Sequence, residues 1–155
     1  MRRMPRSSEV FNLTFDATDP RRLAEFWALA LGYQVEPPPD GFASWEEALA
    51  AWNVPKEDWD SASAVIDPDG VLPRVYFQRV PEEKTAKNRV HLDVRAWRRS
   101  GPDAAPPPLA QRRAAVEAKV AELVAAGATV VGPVEEYDNF WIILLDPEDN
   151  EFCVV

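Results

Sequence analysis

Cysteine and histidine are almost missing from this sequence, with one of each in 155 residues. A single cysteine excludes an internal disulfide, so no covalent staple holds the fold. No apolar run approaches the roughly 18 residues that a membrane-spanning helix needs. Basic residues are in deficit, 17 against 26 acidic, for a net charge of -9. Nucleic acids and anionic membranes select clustered lysine and arginine, so neither is expected as a partner. The first eight residues are basic, but no apolar segment follows them, which argues against a secretory signal. These deficits point to a cytoplasmic protein whose partner is a small molecule or another protein. Residues 1–9 are expected to be disordered or frayed.

Hydrophobic residues make up 46% of the chain, enough for one domain to bury most of its apolar surface. Residues 10–16 alternate apolar with polar and predict a first strand. Asp19-Pro20 then opens a helix, with aspartate as the cap and proline at the first helical position. Leu23, Phe26, Trp27, Ala30 and Leu31 share its buried face before Gly32 ends it. A short strand at residues 33–36 is stopped by three prolines. Ser44-Trp45-Glu46-Glu47 is a capping-box pattern, and residues 54–59 add a further helical turn. The tryptophans of this insertion, Trp45, Trp52 and Trp59, either lie over the sheet as a lid or wall a pocket. Strands are predicted over residues 62–66 and 72–80, separated by the turn Asp67-Pro68-Asp69-Gly70.

The only histidine lies in a second alternating stretch, residues 87–95. Val90, Leu92 and Val94 form the core side of this strand, and His91, Asp93 and Arg95 share the other side. An imidazole and a carboxylate therefore stand together, facing either solvent or a cavity. A proline-rich loop follows at residues 100–108. A long helix over residues 109–126 then buries Val116, Val120, Leu123 and Val124 and stops at Gly127. The remaining strands are expected at residues 128–131, 137–145 and 152–155.

The elements read βαβββ twice, with the strand at Val10 matching that at Val90 and the helix at Pro20 matching that at Leu109. Asp67-Pro68-Asp69-Gly70 and Asp146-Pro147-Glu148-Asp149 occupy matching turns, and an internal duplication is the economical account. Asp19-Pro20, Phe26-Trp27, Leu31-Gly32-Tyr33 and Asp146-Pro147-Glu148-Asp149-Asn150-Glu151-Phe152 resemble motifs of the vicinal oxygen chelate superfamily. That superfamily includes glyoxalases, ring-cleaving dioxygenases, fosfomycin-resistance enzymes and bleomycin-binding proteins. Within it, residues 80–84 and 87–93 are most similar to those of glyoxalase-like domain proteins. The resemblance implies an α+β fold of two βαβββ modules, about residues 10–80 and 88–155, forming a rolled, open mixed sheet with helices outside. Residues 10–155 would make one glyoxalase-like domain.

The resemblance also implies a site. Metal-using members take ligands from the first and last strands of each half. Those positions here are Asn12, Tyr76 or Gln78, His91 and Cys153, of which only His91 is a usual ligand. A bound divalent metal (Zn, Ni, Fe or Mn) would be held by His91 and Glu151, but the neutral side chains make chelation thin, and little or no stoichiometric metal is expected. If the halves pack about a twofold, Asn12 and His91 converge on one pocket with Tyr76, Gln78 and Cys153. Thr14 and Asp93 then lie one step further along, and Trp45 or Trp141 closes the top. Two functions remain open. One is a lyase, isomerase or dioxygenase-type enzyme with His91 as metal ligand or general base and Gln78 orienting an oxygen. The other is a metal-independent protein that sequesters an aromatic compound or antibiotic. A homodimer is expected in either case, because the insertion offers apolar surface that a monomer would expose.

Overall fold

A computed structural model describes residues 10–155; the expectation for residues 1–9 lies outside them. The chain divides into two compact units, one ending at Glu83 and the other beginning at Lys84. Each unit is a mixed α+β module with one four-stranded sheet.

In the first unit the elements are β1 (Leu13–Ala17), α1 (Pro20–Leu31), β2 (Gln34–Val35), α2 (Trp45–Ala51), a 3-10 turn (Lys56–Asp58), β3 (Ala62–Ile66) and β4 (Val75–Arg79). The sheet order is β1-β4-β3-β2, with β1 parallel to β4 and the other pairs antiparallel. Asp19 caps α1 by accepting the Arg22 N–H at 3.1 Å. Gly32 ends the helix at φ 70, a left-handed conformation that a side chain would strain. The apolar face of α1 lies on the sheet, where Leu23, Trp27 and Phe77 are fully buried. The Phe15 ring stands 5.1 Å from Trp27 and 5.4 Å from Phe77. Burial of each such ring stabilises the unit by about 2–3 kcal/mol. The capping box forms as expected in α2: Ser44 Oγ accepts the Glu47 N–H, and Glu47 reaches back to the Ala43 N–H.

The second unit contains β5 (Asp93–Val94), α3 (Leu109–Ala125), β6 (Thr129–Glu136), β7 (Asn139–Leu145) and β8 (Glu151–Val154). Its sheet order, β5-β8-β7-β6, repeats that of the first unit strand for strand. The expected βαβββ duplication is therefore present, with α2 and the 3-10 turn inserted between β2 and β3 of the first copy. Val116, Val120 and Leu123 of α3 are buried, as are Leu144, Phe152 and Val154 on the sheet.

Four expectations are corrected. The strand over residues 87–95 is paired only around Asp93–Val94, from Leu92, whose carbonyl accepts the Cys153 N–H, to Ala96. Before it, the Asn88 N–H is taken by the Glu151 side chain and not by a ladder partner, and Val90, expected in the core, is 73% exposed. The strand over residues 72–80 starts only at Val75, because the Asp67 carboxylate gathers the N–H groups of Val71 and Leu72 and bends the chain. Val124 is exposed; the buried stripe of α3 instead runs Arg112, Val116, Val120, Leu123. Tyr137, placed in a strand from the sequence, forms with Asp138 the two-residue turn between β6 and β7. Both have positive φ, 49 and 60, as a tight hairpin with right-handed strand twist requires.

Candidate functional site

The chemistry of the second unit is gathered by β5 and β8. These strands run parallel with Asp93 opposite Cys153, which sets the carboxylate and the thiol side by side. Their neighbours Val94 and Val154 are buried on the other face, so Asp93 and Cys153 project away from α3. His91 Nε2 lies 3.5 Å from Asp93 Oδ1. One donor atom each from His91, Asp93 and Cys153 lies within 4.8 Å of the other two. Burial pushes the Cys153 thiol above its ordinary range, and the Asp93 charge pushes it the same way.

These three residues line an open cavity of about 460 Å³. Arg95 and Trp97 continue the β5 side of its wall, and Val155 lies at the end of β8. Asn139, Phe140 and Trp141 enter from β7. Arg112 closes the α3 side. Its guanidinium donates to Pro107 O at 2.9 Å, Asp138 O at 2.8 Å and Asp138 Oδ2 at 3.2 Å. It also stands 5.4 Å from the Trp97 ring centroid. This arginine is 5% exposed, and its donors hold the hairpin turn and the loop before α3 in place.

Glu151, expected from the sequence as a metal ligand, accepts the Asn88 N–H at 3.0 Å and meets Lys84 Nζ at 3.2 Å. The Asn88 bond is the main reason its carboxyl is held down to about 2, with Lys84 acting in the same direction. The carboxylate grouped with His91 and Cys153 is that of Asp93.

In the first unit, Thr14, Tyr76 and Gln78 share one sheet face, as strand parity implied. Asp16 joins them as the register partner of Gln78 and accepts its amide N–H at 2.8 Å. Tyr76 lies beneath the Arg74 guanidinium, 5.1 Å from it, and Arg74 forms two hydrogen bonds to the Glu36 carboxylate. Asn12 is exposed just before β1. Trp45 donates its indole N–H to Glu36 O at 2.8 Å and packs edge-on to Trp52. Trp59 donates likewise to Val54 O, which leaves Trp52, 52% exposed, as the open ring of the insertion.

Of the sequence-selected site residues, the structure thus brings His91, Asp93, Trp141 and Cys153 to one cavity. Sequence reasoning missed Arg95, Trp97, Arg112, Asn139, Phe140 and Val155. Arg95 was within reach, because it shares the parity of His91 and Asp93. Arg112 also carried a signal: it occupies an apolar-stripe position, four residues before Val116. The hairpin residues had none, since neither the Asn-Gly nor the Asp-Gly signature of a two-residue turn is present.

The architecture and the position of the site define a class of protein, one built from paired βαβββ modules with polar chemistry on the sheet face opposite the helix. The sequence profile described as glyoxalase-like domain matches residues 12–155. The chain belongs to this glyoxalase-like family, within the vicinal oxygen chelate superfamily. A search of curated sequences finds no match. Among solved structures, the chain is similar to a glyoxalase/bleomycin resistance/dioxygenase family enzyme from Burkholderia phytofirmans PsJN, at 15% identity and TM-score 0.58, covering 97% of each chain. It is also similar to the fosfomycin resistance protein FosX from Mesorhizobium loti, at 13% identity and TM-score 0.51, covering 93% of this chain and 87% of that one. A third similar structure is a point mutant of FosX from Listeria monocytogenes in complex with Mn(II) and 1S,2S-dihydroxypropylphosphonic acid. It has 9% identity and TM-score 0.55, covering 92% of this chain and 85% of that one. These likenesses establish the fold.

The donor set at the second unit's cavity fits a divalent metal. Zinc accepts imidazole nitrogen, carboxylate oxygen and thiolate sulfur, and three protein ligands leave a position open. The thiolate suits zinc, nickel or iron better than manganese. Ionising a partly buried thiol beside Asp93 is unfavourable without a counter-charge, and a bound cation supplies one.

Proposed function

We propose that this chain is an enzyme of the vicinal oxygen chelate type, a lyase, isomerase or dioxygenase acting on a small organic molecule. Its site is the cavity of the second module. The observation that carries this reading is the grouping of His91, Asp93 and Cys153 donor atoms within 4.8 Å of one another at the cavity wall. A divalent metal held by these three residues would supply Lewis-acid polarisation of a substrate oxygen when bound. The protein's own part is to orient the substrate and manage its protons. Asp93 lies against Nε2 of His91 and orients the imidazole, whose other nitrogen, Nδ1, holds or releases a proton when His91 is not serving as a ligand. Trp97 and Trp141 supply apolar wall that displaces water from a bound substrate.

The aromatic wall also favours a second reading, a metal-independent protein that sequesters an aromatic compound or antibiotic. Metal analysis of protein purified without chelators or a histidine tag separates the two. The enzyme reading expects a stoichiometric divalent metal that is lost in His91→Ala and in Cys153→Ser while the fold persists. Metal-free protein that still binds aromatic compounds supports the second. On either reading, residues 10–155 act as one domain, in the cytoplasm, as a homodimer. The exposed apolar groups Trp52, Val130, Val131 and Tyr137 support association with a second copy.

A further inference from the structure

The cavity wall of the second module holds two arginines, Arg95 and Arg112, in a chain whose acidic residues outnumber its basic ones 26 to 17. Among the side chains of that wall, the carboxylate is that of Asp93. Asp93 Oδ1 lies 3.5 Å from His91 Nε2. Arg112 is engaged by the hairpin turn and the loop before α3. Arg95 differs: among the described residues its guanidinium has no hydrogen bond or ion pair. It holds a full positive charge and a planar donor fork, suited to two oxygens of one anionic group.

The neighbours of Arg95 define the rest of the ligand. Asp93, Arg95 and Trp97 are spaced two apart along one edge of the sheet, and the backbone bonds of Leu92, Val94 and Ala96 to the last strand fix that alternation. Trp97 and Trp141 are both half-buried in the cavity wall, so each presents part of an aromatic ring to whatever enters. A free guanidinium beside partly open indoles matches a planar ring bearing a carboxylate.

We propose that the cavity takes a small aromatic carboxylate, with the carboxylate on Arg95 and the ring against Trp97 and Trp141. This assignment rests on the reading of the cavity as the ligand site and names the chemical class it selects. Arg95 is then the specificity-determining residue, and its charge excludes cationic ligands and disfavours neutral ones that leave its donors unpaired.

The test uses benzoate and its neutral isostere benzamide, with protein carrying no histidine tag. His91 is the only histidine, so its imidazole proton resonance reports on the cavity without assignment of the remaining spectrum. Benzoate is expected to shift that resonance saturably, and benzamide to leave it in place. Arg95→Ala should weaken benzoate by roughly tenfold, the loss of one charge-assisted pair at a part-exposed site, and Arg95→Lys should recover part of it. Equal shifts from benzamide and benzoate, an unchanged benzoate affinity in Arg95→Ala, or no shift from either compound would overturn the assignment. Failure of the enzyme reading is seen separately, in the metal content, to which Arg95 contributes no ligand and which Arg95→Ala should leave unchanged.

Discussion

Asp93 and Cys153 are register partners across the parallel ladder between β5 and β8, although 60 residues of sequence separate them. Parallel pairing of an early and a late strand in one module puts a carboxylate and a thiol beside the chain's only histidine. Neither residue marks a site by itself. Their value lies in the register, which a one-residue slip would abolish by sending the side chains to opposite faces.

Arg112 and Arg95 share the cavity wall but should behave differently on mutation. Arg112→Met removes the buried guanidinium that donates to Pro107 O and Asp138 O, and is expected to cost about 1–3 kcal/mol of stability, because the hairpin turn and the loop before α3 lose that tie. Arg95→Ala should change stability by less than about 0.5 kcal/mol, as expected for an exposed side chain without partners. Urea denaturation of the two variants measures the contrast; comparable losses would show that Arg95 is structural.

Tyr137 occupies a left-handed conformation at φ 49 and is 94% exposed. It therefore contributes little packing while straining the hairpin turn. Tyr137→Asn should stabilise the protein by roughly 0.5–1 kcal/mol, since asparagine tolerates positive φ. Thermal denaturation would show a melting temperature raised by a few degrees; a fall would mean that the exposed ring has a packing role.

Asp67 gives a pH-dependent signature in the first module. Its carboxyl is held below the ordinary range mainly by the Leu72 N–H, with the N–H groups of Asp69 and Val71 acting in the same direction. A folded value below the unfolded one means that the stabilisation is fully present above the unfolded value. It is lost as the pH falls from there through the lower folded value. Asp67→Asn should therefore be less stable than the parent near neutral pH, with the gap closing below about pH 4 as the parent's own carboxyl protonates. Chemical denaturation at neutral and acid pH checks it. A gap independent of pH would assign the loss to geometry and not to charge.

Much of the fold was legible because local signals agreed with one another. Asp19-Pro20, the apolar stripe through Trp27 and the stop at Gly32 each pointed to the same helix, and α1 (Pro20–Leu31) has those ends. The duplication was visible because matching turns recur at matching places in each half. The strand around His91 was read too long, since alternation in sequence cannot show that Glu151 takes up the Asn88 N–H. Half of the site was legible for a similar reason. Parity put His91, Asp93 and Arg95 together, but the pairing of Asp93 with Cys153 depends on β-strand register across the module. The role of Arg112 depends on a hairpin turn that has no sequence signature.

Association can be tested through Trp52, whose ring is 52% exposed while Trp45 and Trp59 have their indole N–H groups bonded within the insertion. Sedimentation should give a dimer mass, and Trp52→Ala should weaken that dimer by about tenfold or more if the ring is central to the interface. A monomer at all concentrations would remove the homodimer from the account.

The central claim is that His91, Asp93 and Cys153 act together as a metal-ligand set, and cobalt substitution tests it most directly. Co(II) titrated into metal-free, tag-free protein reports thiolate coordination by a near-ultraviolet sulfur-to-cobalt absorption band. The account predicts a band that saturates at one cobalt per cavity, disappears in Cys153→Ser, and weakens strongly in His91→Ala and Asp93→Asn. A titration without the band in folded parent protein, or a band that survives in His91→Ala and Asp93→Asn at full intensity, would contradict it.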